Sequence, residues 1–400
     1  MKIIKGYKTE LDPNNKQRTA FLRHAGAARF IYNWALADRI ERHERGEKTN
    51  MYEQKKRFNA LKHEQFPWLH QVAYAVVENA FRNLDTAYTN FFRRIKNGDA
   101  KKGFPKFKSR KNGIGSFTLR GCIHSVSGGI KLPRIGWVRL KEHDYIPADG
   151  IKILSVNISE KARRWYASVQ CEQDIADVTA TGPVIGVDLG IKSLAICSNG
   201  KVFENPKALQ YYEKKLRRLQ RQLSRRQKGG KNYAKTKQAI AKLHVKIANI
   251  RRDAIHKVTH YLTATTKPSV VVIEDLNVSG MLKNHSLAKA IADASFAEFR
   301  RQLEYKAHWY GVDLLIADRF YPSSKTCSEC GNVKPLLRLS ERTFVCEKCG
   351  VVIDRDFNAS VNLANLAVKP TVTACGEGKV AAKRLAVALS EAGSEQRNYA

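Results

Sequence analysis

Apolar positions in the first ninety residues follow two different periods. Residues 2–11 (KIIKGYKTEL) read as a strand, and Pro13 with Asn14 then supplies a helix start. Phe21, Ala25, Ala28, Tyr32 and Ala35 follow at steps of four and three. Val72, Val76, Ala80, Leu84, Ala87 and Phe91 repeat the pattern, and each set predicts an amphipathic helix, with Pro67 and Trp68 marking a break between helices. From Gly103 the chain is punctuated by glycine and proline around short alternating runs at 136–140, 151–158 and 165–171, which predicts a β-rich module. If the first strand pairs with that module, the helices become an insertion into a small barrel.

Residues 207–257 carry 17 Lys or Arg and two acids, Glu213 and Asp253. Leu209, Tyr212, Leu216, Leu219 and Leu223 form one apolar stripe; Ile240, Leu243, Ile247, Ile250 and Ala254 form another. Gly229 and Gly230 turn the chain between them, so the segment predicts a basic antiparallel helical hairpin. Such a hairpin could serve packing alone, but a face with this many like charges repels itself unless an anion neutralises it. Lys214, Lys215, Arg218, Arg221 and Arg225 are the candidate contacts. Beyond Pro370 the chain turns small and polar, with a short amphipathic helix expected near 379–389, and reads as a poorly ordered tail.

The charge balance extends this picture to the whole chain. Lys plus Arg total 71 against 37 acids, a net +34, which predicts a polyanionic partner. A length of 400 residues with 43% hydrophobic content allows two or three domains. No stretch of about 18 uninterrupted apolar residues exists to span a bilayer, and residues 1–14 lack the apolar core of a signal peptide. Four of the eight cysteines fall in CxxC pairs and four are scattered, which fits a reducing compartment, the cytoplasm, better than a disulfide framework.

Three carboxylates end predicted elements. Residues 183–190 (PVIGVDLG) form an apolar strand carrying Asp188; a second strand at 193–198 and a turn at Asn199 and Gly200 lead into Val202 and Phe203. This meander is how an RNase H-like sheet begins. Residues 269–276 (SVVVIEDL) form another apolar strand. Alternation puts Glu274 and Asp275 on opposite faces, and Glu274, sharing a face with Val272, is assigned to the site. Residues 354–360 (DRDFNAS) open a helix in which Asp354 reads as an N-cap. Asp356 is the ligand candidate there, with Asn358 a supporting group behind it. Magnesium takes hard oxygen ligands and keeps several waters, so a pair of Mg²⁺ ions needs only a few shared carboxylates plus phosphate oxygens. One ion can then activate a water while the other stabilises the departing 3′ oxygen.

Cys327, Cys330, Cys346 and Cys349 form CxxC, fifteen residues, then CxxC, a spacing that predicts one structural Zn²⁺ with a closed four-thiolate shell. Gly331 and Gly350, each after a second cysteine, permit the knuckle turns. Cys122, Cys171, Cys197 and Cys375 lack such spacing and read as incidental. The run 101–111 interleaves bases with aromatics: Lys102, Lys106 and Lys108 with Phe104 and Phe107. It suits phosphate contact plus stacking, and reads almost equally well as a plain basic loop.

Taken together, the stretches at 29–33 (RFIYN), 83–92 (NLDTAYTNFF), 103–107 (GFPKF), 186–192 (GVDLGIK), 321–331 (YPSSKTCSECG) and 354–362 (DRDFNASVN) resemble the TnpB (OrfB) proteins of bacterial insertion sequences, relatives of the compact type V CRISPR effectors. The resemblance spans about residues 1–370. It implies an α/β multidomain chain: a wedge-type β-barrel from 1–12 and 103–180 and an inserted helical recognition domain at 13–102. A RuvC/RNase H-like nuclease domain would come from 181–321 and 351–370, including the hairpin at 207–265. A zinc ribbon would occupy 322–350 and a tail 371–400. The family's metal-binding acids fall on Asp188, Glu274 and Asp356; Ser360 stands where the family often has Ala. The implied activity is Mg²⁺-dependent cleavage of double-stranded DNA, guided by an RNA from the transposon end and beside a short transposon-adjacent motif. The protein in that ribonucleoprotein would be monomeric, in a bacterial or archaeal cytoplasm. A nuclease-independent RNA-guided repressor and a stand-alone transposase are the competing readings.

Overall fold

A computed structural model of the chain describes residues 1–338, 340–368 and 383–384. It divides into two compact units, Met1–Ile175 and Ala176–Ala400.

In the first unit, strand β1 (Lys2–Asp12) leads into helix α1 (Asn15–Glu44). The helix start is a capping box: Asn14 Oδ1 accepts from the Gln17 amide and Gln17 Oε1 accepts from the Asn14 amide, both at 2.9 Å. Helix α2 (Met51–Gln65) opens the same way with Asn50 and Glu53. A 3₁₀ turn at Pro67–Gln71 then leads to α3 (Tyr74–Lys96). The periodicity had started this last helix at Val72, but Val72 and Ala73 are extended and buried. Their conformation is fixed from α1, where the buried His24 accepts the Ala73 amide at Nε2, 3.2 Å away.

Strands β2 (Ser116–Leu119), β3 (His124–Val126), β4 (Gly129–Leu132), β5 (Gly136–Leu140), β6 (Ile151–Lys161) and β7 (Arg164–Asp174) follow. With β1 they make a seven-stranded sheet in the order β2-β6-β7-β1-β5-β4-β3. β1 pairs antiparallel with β7 from Lys2↔Asp174 to Leu11↔Trp165, so the three helices are an insertion between paired strands. They pack on the sheet through aromatic rings, Phe21 lying 4.9 Å from Trp165 and 5.9 Å from Phe117.

The second unit begins with the meander β8 (Ile185–Asp188), β9 (Ser193–Cys197) and β10 (Val202–Glu204). Helices α4 (Ala208–Ser224) and α5 (Lys231–His260) form the expected hairpin, sealed by Leu216, Leu243 and Ile247. A buried carboxylate roots it: Asp293 accepts from Arg251 Nη2 at 2.6 Å and from the Leu209 amide at 2.9 Å, which satisfies a first-turn donor of α4. Strand β11 (Val270–Glu274), helices α6 (Val278–Met281), α7 (Ala288–Ala294) and α8 (Phe296–Tyr310), and strand β12 (Asp313–Ala317) come next. The hairpin β13 (Thr343–Val345) and β14 (Val352–Asp354) then delivers the chain to α9 (Arg355–Val368). A two-residue strand, β15 (Lys383–Arg384), pairs antiparallel with β12. At those two positions the backbone is extended where the sequence had suggested a helix; the rest of that stretch, and the tail expected at 371–400, lie outside the described residues.

The main sheet runs β10-β9-β8-β11-β12-β15, with β8, β11 and β12 parallel and β9 antiparallel to β8. Counted from β8, the first five strands take the order 3-2-1-4-5. Alternation along the strands separates two cores. Val187, Val271 and Ile273 face α5 and α8, whereas Val272, Leu315 and Ala317 pack with Leu363 of α9. Gly186 lies on the α9 side. A β-carbon there would sit 2.0 Å from the Ser360 carbonyl oxygen and 2.4 Å from the Ala364 nitrogen, so helix and strand touch backbone to backbone.

Gly186→Ala is therefore expected to cost the second unit about 3 kcal/mol, read from thermal or denaturant unfolding, because neither backbone can yield. Gly6→Ala on β1, where nothing lies within 4 Å of the added carbon, should change little.

Candidate active site and cysteine cluster

Strand register decides which carboxylates meet. Val187 pairs with Ile273 in parallel, so one residue further on Asp188 stands level with Glu274 on the neighbouring strand, about 4.8 Å away in backbone spacing. Both belong to the α9 face by alternation. Along β8, Asp188 is two residues beyond Gly186, roughly 6.6 Å; along α9, Asp356 is four residues before Ser360, roughly 6 Å. Ser360 rests on Gly186, and these two similar steps, with the charge of Asp356 felt at Asp188, put Asp356 near the end of the strand.

Electrostatics carries the mark of that gathering. Burial first, and then the charges of Glu274, Asp356 and Asp354, together push the Asp188 carboxyl up to about 8 against the opposing pull of Arg355. Asp275, on the other side of its strand, is held instead by Arg300 at 2.9 Å and Arg319 at 2.6 Å, which keep its carboxyl below the usual range against the cost of burial. Asp354 caps α9: its Oδ1 accepts the amides of Asp356 at 3.0 Å and Phe357 at 2.9 Å.

The three acids share an edge without closing on one point. Among the described residues, the four cysteines are the His, Cys, Asp or Glu group whose donor atoms all lie within 4.8 Å of one another. Asp356 is drawn toward cations, accepting from Arg355 at 2.8 and 3.0 Å with Arg342 at 3.6 Å. These arginines were not foreseen. The signal for one lay in the DRD motif; the other is placed by the β13–β14 hairpin, where the Arg355 amide donates to the Arg342 carbonyl. Asn358, expected behind the acids, turns away: both ends of its buried amide are bonded to the segment that carries the first cysteine knuckle.

Cys327 and Cys349 lie 3.6 Å apart through their sulfurs, and Cys330 and Cys346 3.5 Å. Four thiolates about 2.3 Å from a tetrahedral Zn²⁺ would have edges of about 3.8 Å, so the donor set and its size fit that ion. Each knuckle closes by an amide donating back to a cysteine carbonyl, Gly331 to Cys327 and Gly350 to Cys346, with φ of +73° and +74° at the two glycines. Of the scattered cysteines, burial pushes the Cys171 thiol up to about 11 and the Cys197 thiol up to about 12, as suits inert packing groups. Cys122 is exposed, and Cys375 lies outside the described residues.

The basic candidates divide by what already holds them. Lys214, Lys215, Arg218, Arg221 and Arg225 are all exposed on α4, opposite the stripe that packs on α5, while Glu213 is occupied by Arg217 and Lys289. In the 101–111 run, Phe104 packs its ring against Phe91 and Tyr88, and Lys108 lies 3.9 Å above Tyr32 with its backbone bonded to Asn33. Those two residues anchor the run to α1 and α3. All five candidates of the run, Lys102, Phe104, Lys106, Phe107 and Lys108, nevertheless stay exposed.

Comparison with known proteins gives a consistent family. Residues 168–285 match the OrfB_IS605 profile, described as "Probable transposase"; residues 296–363 match the "Cas12f1-like, TNB domain" profile. Residues 1–48 match a helix-turn-helix profile of OrfB proteins, although here they form β1 and one long helix. A "Putative RNA-guided DNA endonuclease" of Streptomyces pristinaespiralis is 35% identical over 94% of this chain and 92% of its own. "Putative RNA-guided DNA endonuclease InsQ" of Escherichia coli is 35% identical over 94% of this chain and 95% of its own. Among solved structures, a Cas12f1–sgRNA–target DNA complex matches in fold with a TM-score of 0.58 at 15% identity, covering 91% of this chain and 99% of that one.

Two outcomes are expected. The folded-state pKa of Asp188, about 8, lies above its unfolded value of 3.8, so its contribution to stability, full below pH 3.8, is lost as pH rises through 8. Asp188→Asn removes that loss. The metal-free variant should out-melt the wild type by a margin that widens between pH 4 and pH 8, and a constant margin would contradict the gathered acids. Cys346→Ser should lose zinc and lower the melting temperature; unchanged metal content and melting would reject the zinc site.

Proposed function

Because the chain belongs to the OrfB (TnpB) family of insertion-sequence proteins, relatives of the type V effectors, we propose that it is an RNA-guided, magnesium-dependent DNA endonuclease with a RuvC-type centre at Asp188, Glu274 and Asp356. The observation that carries this reading is the register that sets Asp188 level with Glu274 and the Gly186 contact that sets Asp356 beside them. The 3-2-1-4-5 strand order with a reversed second strand supports it, since RNase H-like sheets share that plan.

Each residue has a task. Asp188 and Glu274 present oxygens from rigid strand ends, and Asp356 presents one from a helix start, where the helix dipole favours its charge. Magnesium bound among them would supply the positive charge that an in-line displacement at phosphorus gathers around. Arg342 and Arg355 neutralise Asp356 and keep the edge attractive to a phosphate diester. The unpaired bases of α4 and the exposed part of the 101–111 run would hold the guide RNA and the DNA backbone. Cleavage falls beside a short transposon-adjacent motif on double-stranded DNA, and the protein works as a monomer within a cytoplasmic ribonucleoprotein. The cysteine cluster holds structural zinc.

With the RNA transcribed from the end of its element, a matched target in a library of randomised flanks and Mg²⁺, the protein should cut both strands beside one flanking motif. Asp188→Ala should lower cutting by about 10³-fold or more, the equivalent of several kcal/mol, while leaving RNA and target binding intact. Uncut DNA at every flank would overturn the proposal.

A further inference from the structure

Glu274 ends its strand, where the hydrogen-bond ladder stops restraining its side chain. A restraint comes from Ser323, a residue 4% exposed whose hydroxyl donates to Glu274 Oε1, so that no water replaces the carboxylate if it turns away. Ser323 is itself held. Its carbonyl accepts from Asn362 Nδ2 at 2.7 Å, and the second hydrogen of that amide goes to the Thr326 carbonyl at 2.6 Å. The Thr326 carbonyl also accepts from Asn358 Nδ2 at 2.7 Å, and Asn358 Oδ1 accepts the Ser328 amide at 3.0 Å. Asn358 and Asn362 are buried and four residues apart, one above the other on a single face of α9. The segment that they grip contains Cys327, the first thiol of the cluster.

We propose that Ser323 is a positioning residue for Glu274, and that the Asn358–Asn362 pair makes this positioning depend on a filled cysteine cluster. The inference rests on the acid centre proposed above. A hydroxyl donating to one carboxylate oxygen leaves the other directed at a divalent ion and removes the rotation that would spoil its aim. The asparagine amides spend both hydrogens of Asn362, and one hydrogen and the oxygen of Asn358, on three points of the segment, Ser323, Thr326 and Ser328. It therefore cannot slip by one residue without stranding buried polar groups. Emptying the cluster frees the Cys327 end of the segment and slackens Ser323 with it.

The test is a titration of the full-length ribonucleoprotein with Mn²⁺, followed by electron paramagnetic resonance, with circular dichroism and zinc content read on every variant. Glu274→Gln supplies the reference for ions held elsewhere, RNA included. Ser323→Ala is expected to weaken the Glu274-dependent binding about tenfold, and Ser323→Thr, which keeps the hydroxyl, to restore it. Should Ser323→Ala unfold, Ser323→Cys keeps the volume with a weaker donor and carries the same expectation. Removing zinc should weaken Mn²⁺ binding in the wild type and add little in Ser323→Ala; equal losses in both would overturn the coupling. If Glu274→Gln binds Mn²⁺ as the wild type does, the functional reading itself fails. If it weakens binding while Ser323→Ala does not, the positioning role alone is overturned.

Discussion

The backbone contact between α9 and Gly186 sets the terms for everything around it. A strand and a helix rarely approach so closely, since side chains usually stand between them; here a missing β-carbon on one side and a small, fully buried Ser360 on the other remove the spacer. That distance fixes where Asp356 arrives, because the helix axis cannot shift without opening a void or a clash. It also explains how Ser360 is accommodated: its hydroxyl donates to the Phe357 carbonyl at 2.7 Å and stays inside the helix envelope.

Gathering carboxylates at such a junction opposes stability, and the surroundings show how the opposition is contained. Arg342 and Arg355 lean on Asp356, Ser323 on Glu274, and the amides of α9 on Asp354. Asp188 carries the remaining strain as a raised proton affinity. The neighbouring Asp275, one residue from the site, is kept out of it by two arginines of its own. Adjacent acids in one sequence motif thus have separate fates, decided by strand alternation and by which cations the fold brings near.

Much of this was legible in the residues. Apolar runs ending in Asp188 and Glu274, the CxxC pairs, the two stripes of the basic hairpin and the capping signal at Asn14 are local patterns, and local patterns survive into structure because each is enforced by a few neighbours. What escaped notice depends on distant partners. The start of α3 shifted because His24, some fifty residues earlier, bonds the Ala73 amide. Asn358 touches the cysteine-knuckle segment and not the acids themselves, for the rotation of α9 over the sheet is set by Gly186. Arg342 reaches Asp356 only through the β13–β14 pairing, and Asp293 roots the hairpin from a different helix. None of these has a spacing that a single sequence can announce.

The pairing of β1 with β7 also bears on how the chain is made. The opening strand finds its long partner only at residues 165–174, with three helices and five strands emitted in between. At about 5–20 residues per second of synthesis, that edge waits on the order of ten seconds or more on a ribosome before the partner emerges. Until then the helices have little sheet to rest on. The first unit is thus a high-contact-order fold whose completion is timed by translation, and a chain halted before its seventh strand would expose Phe21 and its neighbours to any passing chaperone.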